Sequence, residues 1–227
     1  MNNATGTELL DDPAADPVAV RRSLVNIARA NRWFGGTAAV LHGLSRVLGR
    51  TRSLHSDVSL LDLGTGAGDI PAAARRWGAD HGIALRTVGL ERLRPAAQLA
   101  RSTALPLTLG CVSALPFRTG AVDVVVISQL LHHLDAEAAT ALLRDAARVA
   151  RRGVVVADLL RSRTAAALFG IASRALGFDE HTRVDGITSV GRGYRVAELE
   201  RLCADAGVRA TVTERPGWRV VAWWVTA

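Results

Sequence analysis

The sequence predicts an α/β fold in which helices cover both faces of a doubly wound, mostly parallel sheet. From residue 58 onward, short apolar segments alternate with segments of helical spacing, the order expected of βαβ units. Several apolar segments, such as 122–127, are largely β-branched and lack polar alternation, which is typical of central strands buried on both faces. The last two segments are joined only by residues 215–217, Arg-Pro-Gly, which predicts a closing antiparallel hairpin.

The segment ahead of the sheet contains two predicted helices. Residues 1–16 are polar and acidic and include a proline, so we expect a disordered leader. Apolar residues then recur at helical spacing over 18–34, which two glycines end, and over 37–48. We expect residues 17–55 to form a helical cap, either over a ligand pocket or against one face of the sheet.

The α/β domain is expected over residues 56–227. Its predicted strands are 58–63, 85–90, 107–109, 122–128, 153–158, 209–214 and 218–225. Its predicted helices are 70–80, 94–102, 136–150, 164–176 and 196–206. The glycine-rich stretch 181–194 has no assigned element, and we interpret it as a loop that covers a substrate.

Composition narrows the class of protein. No run approaches 18 uncharged apolar residues, so no transmembrane helix is expected. The N-terminus lacks the basic and apolar regions of a signal peptide. These features favour a cytoplasmic protein whose two cysteines, Cys111 and Cys203, are free thiols.

The net charge of +7 raises the possibility of a nucleic-acid partner, which we do not expect. All 28 basic residues are arginine, a bias more typical of codon composition than of selection for phosphate contacts. They are also scattered along the chain instead of forming one block with interleaved aromatics.

A glycine-rich turn follows the first predicted strand. Glycines at 64, 66 and 68 allow positive φ and close backbone contact with a ligand, and the helix that follows offers free N–H groups. The spacing is G-x-G-x-G, not the G-x-G-x-x-G of a dinucleotide site, and Asp62 would repel phosphate but suit a cation. The candidate binding residues of this turn are Asp62, Gly64, Thr65, Gly66, Gly68 and Asp69.

This turn resembles motif I of the class I S-adenosylmethionine-dependent methyltransferases. Their cofactor carries an ammonium, a sulfonium and a carboxylate, so a site for it needs groups of both signs. The resemblance implies a Rossmann-like fold whose antiparallel hairpin ends the sheet. It also implies that Glu91, which ends the second predicted strand, accepts the ribose hydroxyls, with Arg92 beside it.

The segment 110–117, Gly-Cys-Val-Ser-Ala-Leu-Pro-Phe, departs from the resembled pattern. The family commonly has an acid that binds the adenine amino group at the position of Cys111. Backbone groups of Val112 or the hydroxyl of Ser113 are then the candidates for reading the adenine edge. We expect Cys111 itself to be a buried, neutral thiol.

The segment after the fourth predicted strand resembles the family's L-H-H-L stretch. Ser128 and Gln129 are expected beside the methionine part of the cofactor. His132 and His133 are candidate general bases, since an unperturbed imidazole titrates near neutral pH. The alternative is that one of them, His133 rather than His132, only braces the loop. We expect no metal, because adjacent side chains diverge and no further ligand is suitably spaced.

Asp158 ends the fifth predicted strand, where it is placed to orient a histidine or a substrate hydroxyl; a helix cap or loop acid is the alternative. The set of motifs implies O-methylation of a phenolic or polyketide-like small molecule in secondary metabolism. Carbon and nitrogen acceptors stay open. The other classes are an NAD(P)-dependent oxidoreductase and a non-catalytic regulatory protein that retains the cofactor fold. We expect a monomer or homodimer.

Overall fold

The structure is a computed structural model of the chain, and it describes residues 8–12, 14–49 and 57–226. The described strands form one sheet in the order β3-β2-β1-β4-β5-β7-β6. They are β1 (Asp57–Leu63), β2 (Ala84–Glu91), β3 (Leu107–Leu109), β4 (Val122–Ser128), β5 (Ala150–Leu159), β6 (Thr211–Arg215) and β7 (Arg219–Val225). Strands β1 to β5 are parallel, and β7 lies antiparallel between β5 and β6. The predicted fold class is confirmed.

The helices cover the sheet on both faces. They are α1 (Pro17–Trp33), α2 (Gly36–Leu48), α3 (Asp69–Asp80), α4 (Arg94–Arg101), α5 (Ala136–Val149), α6 (Arg163–Ala175), α7 (Glu180–Arg192) and α8 (Val196–Asp205). Apolar side chains of α2 and α3 form one core with the sheet, and those of α5 and α8 form the second core on the opposite face. None of the helices in the described part of the chain combines the length and apolar character needed to span a bilayer.

The two N-terminal helices have different positions. Helix α2 packs on β5 and β7, so it covers one face of the sheet. Helix α1 packs against α4, and its residues Leu24, Ile27 and Asn31 line a cavity at the edge of the sheet. Helix α2 thus lies against the sheet and α1 lies beside the cavity, while the assignment of residues 17–55 as a separate cap stays a prediction. The expected boundary at residue 55 lies outside the described residues.

The interpretation of residues 181–194 as a covering loop is wrong, because helix α7 occupies most of this segment. Asp179 caps the helix by accepting a hydrogen bond from the Thr182 N–H at 3.0 Å. Gly186, which looked like a loop signal, lies inside the helix where a β-carbon would collide with the Phe169 ring of α6. That glycine permits close packing of α6 on α7.

The expected disordered leader is wrong for residues 8–12, which we call the N-terminal strap; residues 1–7 lie outside the described residues. The strap contains a short 3₁₀ turn, Leu9–Asp11. Glu8 is buried and accepts a hydrogen bond from Ser189 Oγ at 2.7 Å, and its carboxylate lies 3.0 Å from Arg192 Nη1. Polar contacts with α7 across the fold hold this segment, which is why its local composition did not reveal it.

Candidate active site

A cavity of about 870 Å³ lies at the carboxyl ends of β1, β2, β4 and β5. It lies where the strand order reverses between β1 and β4, the usual place for a ligand in an open α/β sheet. The strap and helices α1, α6 and α7 contribute the other walls. Its volume falls within the range of roughly 300–1,000 Å³ expected of a small-molecule site.

The glycine-rich turn forms one end of the cavity. Gly64, Gly66 and Gly68 have φ values of 70°, 53° and 77°, a left-handed conformation that other residues rarely adopt. The N–H groups of Gly64 and Thr65 donate to the Leu90 carbonyl at 2.9 and 3.1 Å, so the turn is fixed to β2. Gly68 is the N-cap of α3 and does not line the cavity. The turn thus presents backbone, not side chains, to a ligand.

Asp62 lies beneath this turn with 2% of its surface exposed. Its Oδ2 accepts a hydrogen bond from Thr65 Oγ1 at 2.7 Å, whereas Oδ1 is buried without a hydrogen-bond partner among the described residues. Burial raises the pKa of Asp62 to about 8, and the charges of Asp69 and Glu91 also raise it. A cationic ligand would supply the partner that Oδ1 lacks and would favour the ionised carboxylate.

Glu91, the last residue of β2, is held by three backbone donors. Oε2 accepts from Gly66 N at 2.9 Å, and Oε1 accepts from Arg92 N at 2.7 Å and Leu93 N at 2.8 Å. A carboxylate has about four lone-pair sites and these donors use three of them, so one site on Oε2 remains for a ligand's hydroxyl group. Glu91 and Arg92 both line the cavity, and Glu91 couples the glycine-rich turn to the end of β2.

A chain of side chains crosses the cavity floor from the glycine-rich turn to the closing hairpin. Asn31 Nδ2 donates to Asp69 Oδ2 at 3.0 Å, and Gln129 Nε2 donates to Asn31 Oδ1. Arg219 Nη1 in turn donates to Gln129 Oε1 at 3.1 Å. Gln129 has φ 50°, a strained conformation for a residue with a side chain, and such strain clusters at functional sites.

His132 and Asp158 form a buried pair. Asp158, which is 0% exposed, accepts hydrogen bonds from the backbone N–H groups of Leu131 and Leu159 at 3.1 and 2.7 Å. Burial alone would raise the pKa of Asp158, but His132 and the Leu159 N–H outweigh it, so the pKa is lowered and the carboxylate stays ionised. His132 Nδ1 lies 2.6 Å from Asp158 Oδ1 and must therefore carry the proton, which leaves Nε2 as a proton acceptor.

His133 is held differently, although its ring lies only 4.2 Å from that of His132. His133 Nδ1 lies 3.0 Å from Asp11 Oδ1 of the strap. Burial opposes its charge, but Asp11 and Glu8 outweigh burial and raise the pKa of His133. The favoured charged form has no free lone pair with which to accept a proton, so these contacts suit His133 to anchoring the strap. Which histidine acts as the base stays a prediction.

Glu8, His132 and His133 each offer a ligand atom within 4.8 Å of the others, an arrangement that could hold a metal ion. Arg192 Nη1 lies 3.0 Å from Glu8 Oε1, so a cationic group already accompanies this carboxylate. We interpret the cluster as an ion-pair network between the strap and α7. The expectation of no metal stays a prediction.

The expectation that Cys111 is buried is wrong, since the thiol is exposed at the adenine end of the predicted site. Ser113 Oγ donates to Cys111 Sγ at 3.1 Å, and hydrogen bonds from Ser113 lower the pKa of the thiol. Cys203, the other cysteine, is buried on α8.

We expect replacement of Cys111 with Ala or Ser to change the affinity for S-adenosylhomocysteine by less than about tenfold, or 1.4 kcal/mol. An exposed thiol whose hydrogen bonds come from the adjacent residues Val112 and Ser113 gives up little on removal. Titration calorimetry of both variants checks this. A loss of two orders of magnitude at an unchanged melting temperature would instead show a specific thiol contact.

The structure brings most of the predicted site residues to one cavity. Those that line it are Asp62, Gly64, Thr65, Gly66, Asp69, Glu91, Arg92, Cys111, Val112, Ser128, Gln129, His132 and His133. Asp158 lies behind His132. Sequence reasoning did not select Asn31, Arg192 and Arg219, which also line the cavity. For Arg219 the available signal was a lone charge at the start of an otherwise apolar strand.

Comparison with known proteins agrees with this geometry. Residues 60–153, which include the glycine-rich turn, Glu91 and both histidines, match a family described as a methyltransferase domain. The matched residues identify an S-adenosylmethionine-dependent methyltransferase domain, for which S-adenosylmethionine is the cofactor. The match favours this class over an oxidoreductase or a non-catalytic protein. Among curated proteins, none matches the sequence significantly.

Solved structures with the same fold are distant in sequence. An O-methyltransferase family protein from Burkholderia thailandensis is 16% identical, with a TM-score of 0.69 over 98% of this chain and 64% of its own. An S-adenosylmethionine-dependent methyltransferase from Aquifex aeolicus is 14% identical, with a TM-score of 0.63 over 93% and 99%. Magnesium protoporphyrin IX methyltransferase from Synechocystis PCC 6803, solved with bound S-adenosylmethionine, is 14% identical, with a TM-score of 0.57 over 89% and 85%.

The described residues fit the cofactor. Asp62 Oδ1 is a buried acceptor without a partner, as a cationic group requires. Glu91 retains an acceptor site on Oε2 for a ribose hydroxyl, and the glycine-rich turn leaves its backbone open to contact.

Proposed function

We propose that this methyltransferase methylates the hydroxyl oxygen of a phenolic or polyketide-like small molecule in secondary metabolism. The observation that carries the proposal is the His132–Asp158 pair, in which a buried carboxylate fixes the imidazole tautomer with Nε2 left to accept a proton. A phenol must lose its proton to become a strong nucleophile. An amine acceptor is nucleophilic without such a base, so the pair favours an oxygen acceptor.

The residues of the chain have separable tasks in this reaction. Bound S-adenosylmethionine supplies a methyl group that its sulfonium has already activated. Asp62, Glu91 and the glycine-rich turn bind the cofactor at one end of the cavity. His132 takes the acceptor proton at Nε2 while Asp158 stabilises the imidazolium that forms. The protein otherwise needs only to hold the nucleophile in line, at about 3–3.5 Å from the methyl carbon.

The walls of the acceptor end are largely apolar. Helix α6 contributes Leu168, Phe169 and Ile171, and Phe34 follows α1. The edge-to-face contact between Phe34 and Phe169, at 5.8 Å, joins the N-terminal helices to α6. Flat apolar side chains of this kind suit an aromatic acceptor and exclude water from the reacting atoms.

The solved relatives agree with this choice of acceptor atom only in part. The Burkholderia thailandensis protein is described as an O-methyltransferase family protein, whereas a Thermotoga maritima relative, 14% identical with a TM-score of 0.56, is described as a possible histamine N-methyltransferase. The acceptor therefore rests on the His132–Asp158 pair. The expectations of a cytoplasmic enzyme that acts as a monomer or homodimer stay predictions.

A panel of acceptors with matched ring systems tests the proposal. We expect phenols to be methylated on oxygen and the corresponding anilines to react at least about tenfold more slowly. Mass spectrometry with isotopically labelled S-adenosylmethionine measures the transfer, and nuclear magnetic resonance of the products locates the methyl group. Faster methylation of the anilines, or a product methylated on carbon, would contradict the proposal.

A further inference from the structure

Arg219 is a buried cation on the wall of the cavity. It is the first residue of β7, opposite Leu159 of β5, and it is 4% exposed. The rest of the strand that it begins, residues 220–225, is apolar. Burial lowers the pKa of Arg219 to about 10, against an opposing effect of Asp158, so the guanidinium remains charged at neutral pH.

The hydrogen bonds of Arg219 go to neutral acceptors. Nε donates to the Phe34 carbonyl at 3.0 Å, and Nη1 donates to Gln129 Oε1 at 3.1 Å. Within the described parts of the chain, no carboxylate oxygen lies within 4.0 Å of this guanidinium, the limit for an ion pair. Arg192, another arginine that lines the cavity, differs because Glu8 and Asp11 both pair with it.

A buried charge without an ionic partner is strongly unfavourable, and proteins rarely retain one without a compensating ligand. The two hydrogen bonds use Nε and Nη1 and leave Nη2 without a bond to the described residues. A guanidinium fork matches the two oxygens of a carboxylate in spacing and in charge. Arg219 therefore has the position, charge and remaining donors of an anion-binding residue.

We propose that Arg219 binds a carboxylate inside the cavity. If the carboxylate belongs to the acceptor, this inference rests on the proposed function; if it belongs to the cofactor, it does not. Through Gln129 and Asn31, Arg219 connects to Asp69 beside the glycine-rich turn, and its neighbour Val220 is opposite Asp158. It thus lies between the cofactor end and the His132–Asp158 pair. The carboxylate belongs either to the methionine part of the cofactor or to an acidic aromatic acceptor.

The first arm of the test measures cofactor binding without turnover. Titration calorimetry compares wild type with R219Q and R219K, using S-adenosylhomocysteine and 5′-methylthioadenosine, which lacks the amino-acid carboxylate. If the cofactor is the source, R219Q should bind S-adenosylhomocysteine about 10- to 100-fold more weakly while its affinity for methylthioadenosine is unchanged. R219K keeps the charge but loses the fork, so its affinity for S-adenosylhomocysteine should lie between those of wild type and R219Q.

The second arm uses a matched pair of acceptors, a hydroxybenzoate and the corresponding hydroxybenzamide. Their binding is measured by calorimetry in the presence of S-adenosylhomocysteine, and their KM values are measured in the methylation reaction. If the acceptor is the source, R219Q should weaken only the hydroxybenzoate, again by about 10- to 100-fold. If wild type binds these ligands but methylates neither, the proposed function fails while the binding comparison still tests Arg219.

Two outcomes would overturn the inference. In the first, R219Q retains the affinity of wild type for S-adenosylhomocysteine and for both acceptors. In the second, folded R219Q and R219K lose affinity equally for ligands with and without a carboxylate, which would make Arg219 a purely structural link between Phe34 and Gln129. Melting temperatures and circular dichroism of both variants establish that they are folded.

Discussion

Replacement of His132 with Ala is expected to lower turnover about 10²- to 10⁴-fold, the usual contribution of a general base. Asp158 holds Nδ1, so the variant loses the proton acceptor at Nε2. The affinity for S-adenosylhomocysteine should hardly change, because the proposed cofactor-binding residues Asp62 and Glu91 belong to β1 and β2 and not to the segment after β4 that carries His132. Single-turnover rates at saturating cofactor, measured from pH 5.5 to 9, check the prediction. The acid limb of the wild-type profile should be absent from the variant.

H133A is the matched control, since it removes an adjacent imidazole of the same size. Its loss of turnover should be at most about tenfold and should follow a lower melting temperature, because His133 pairs with Asp11 of the strap. D158N should resemble H132A, because an amide no longer fixes the tautomer of His132. Wild-type turnover and an unchanged acid limb in H132A would remove His132 from the role of base.

Replacement of Glu91 with Ala is expected to weaken cofactor binding roughly 10- to 150-fold, since a charge-assisted hydrogen bond contributes about 1.5–3 kcal/mol. The variant loses the proposed acceptor of the ribose hydroxyls. It also loses the bond from Gly66 N that holds the glycine-rich turn against β2. Titration calorimetry with S-adenosylhomocysteine measures the effect.

Two variants serve as controls for Glu91. E91Q keeps the size of the side chain but places an amide among the three backbone donors. Its affinity for the cofactor should therefore lie between those of wild type and E91A. E200A removes an exposed acid from α8 and should bind the cofactor as wild type does. An unchanged dissociation constant in folded E91A would place the ribose elsewhere.

The sheet and the glycine-rich turn were predictable because their signals are local. The β-branched run of β4 and the turn Arg215-Pro216-Gly217 each specify a conformation within a few residues. The glycines at 64, 66 and 68 similarly specify left-handed backbone where it occurs. Predicted strand and helix ends therefore differ from the structure by three residues at most where an element was assigned.

The sequence by itself determined the fold class, the order of the motifs along the strands and most of the predicted site residues that line the cavity. The tertiary structure decided which histidine faces Asp158 and which faces Asp11, that residues 180–192 form a helix, and that Cys111 is exposed. It also decided that Arg219 has no ionic partner among the described residues. The physical reason is separation along the chain. Arg219 is 185 residues from Phe34, and contacts at such range depend on how whole layers pack, which no local pattern records.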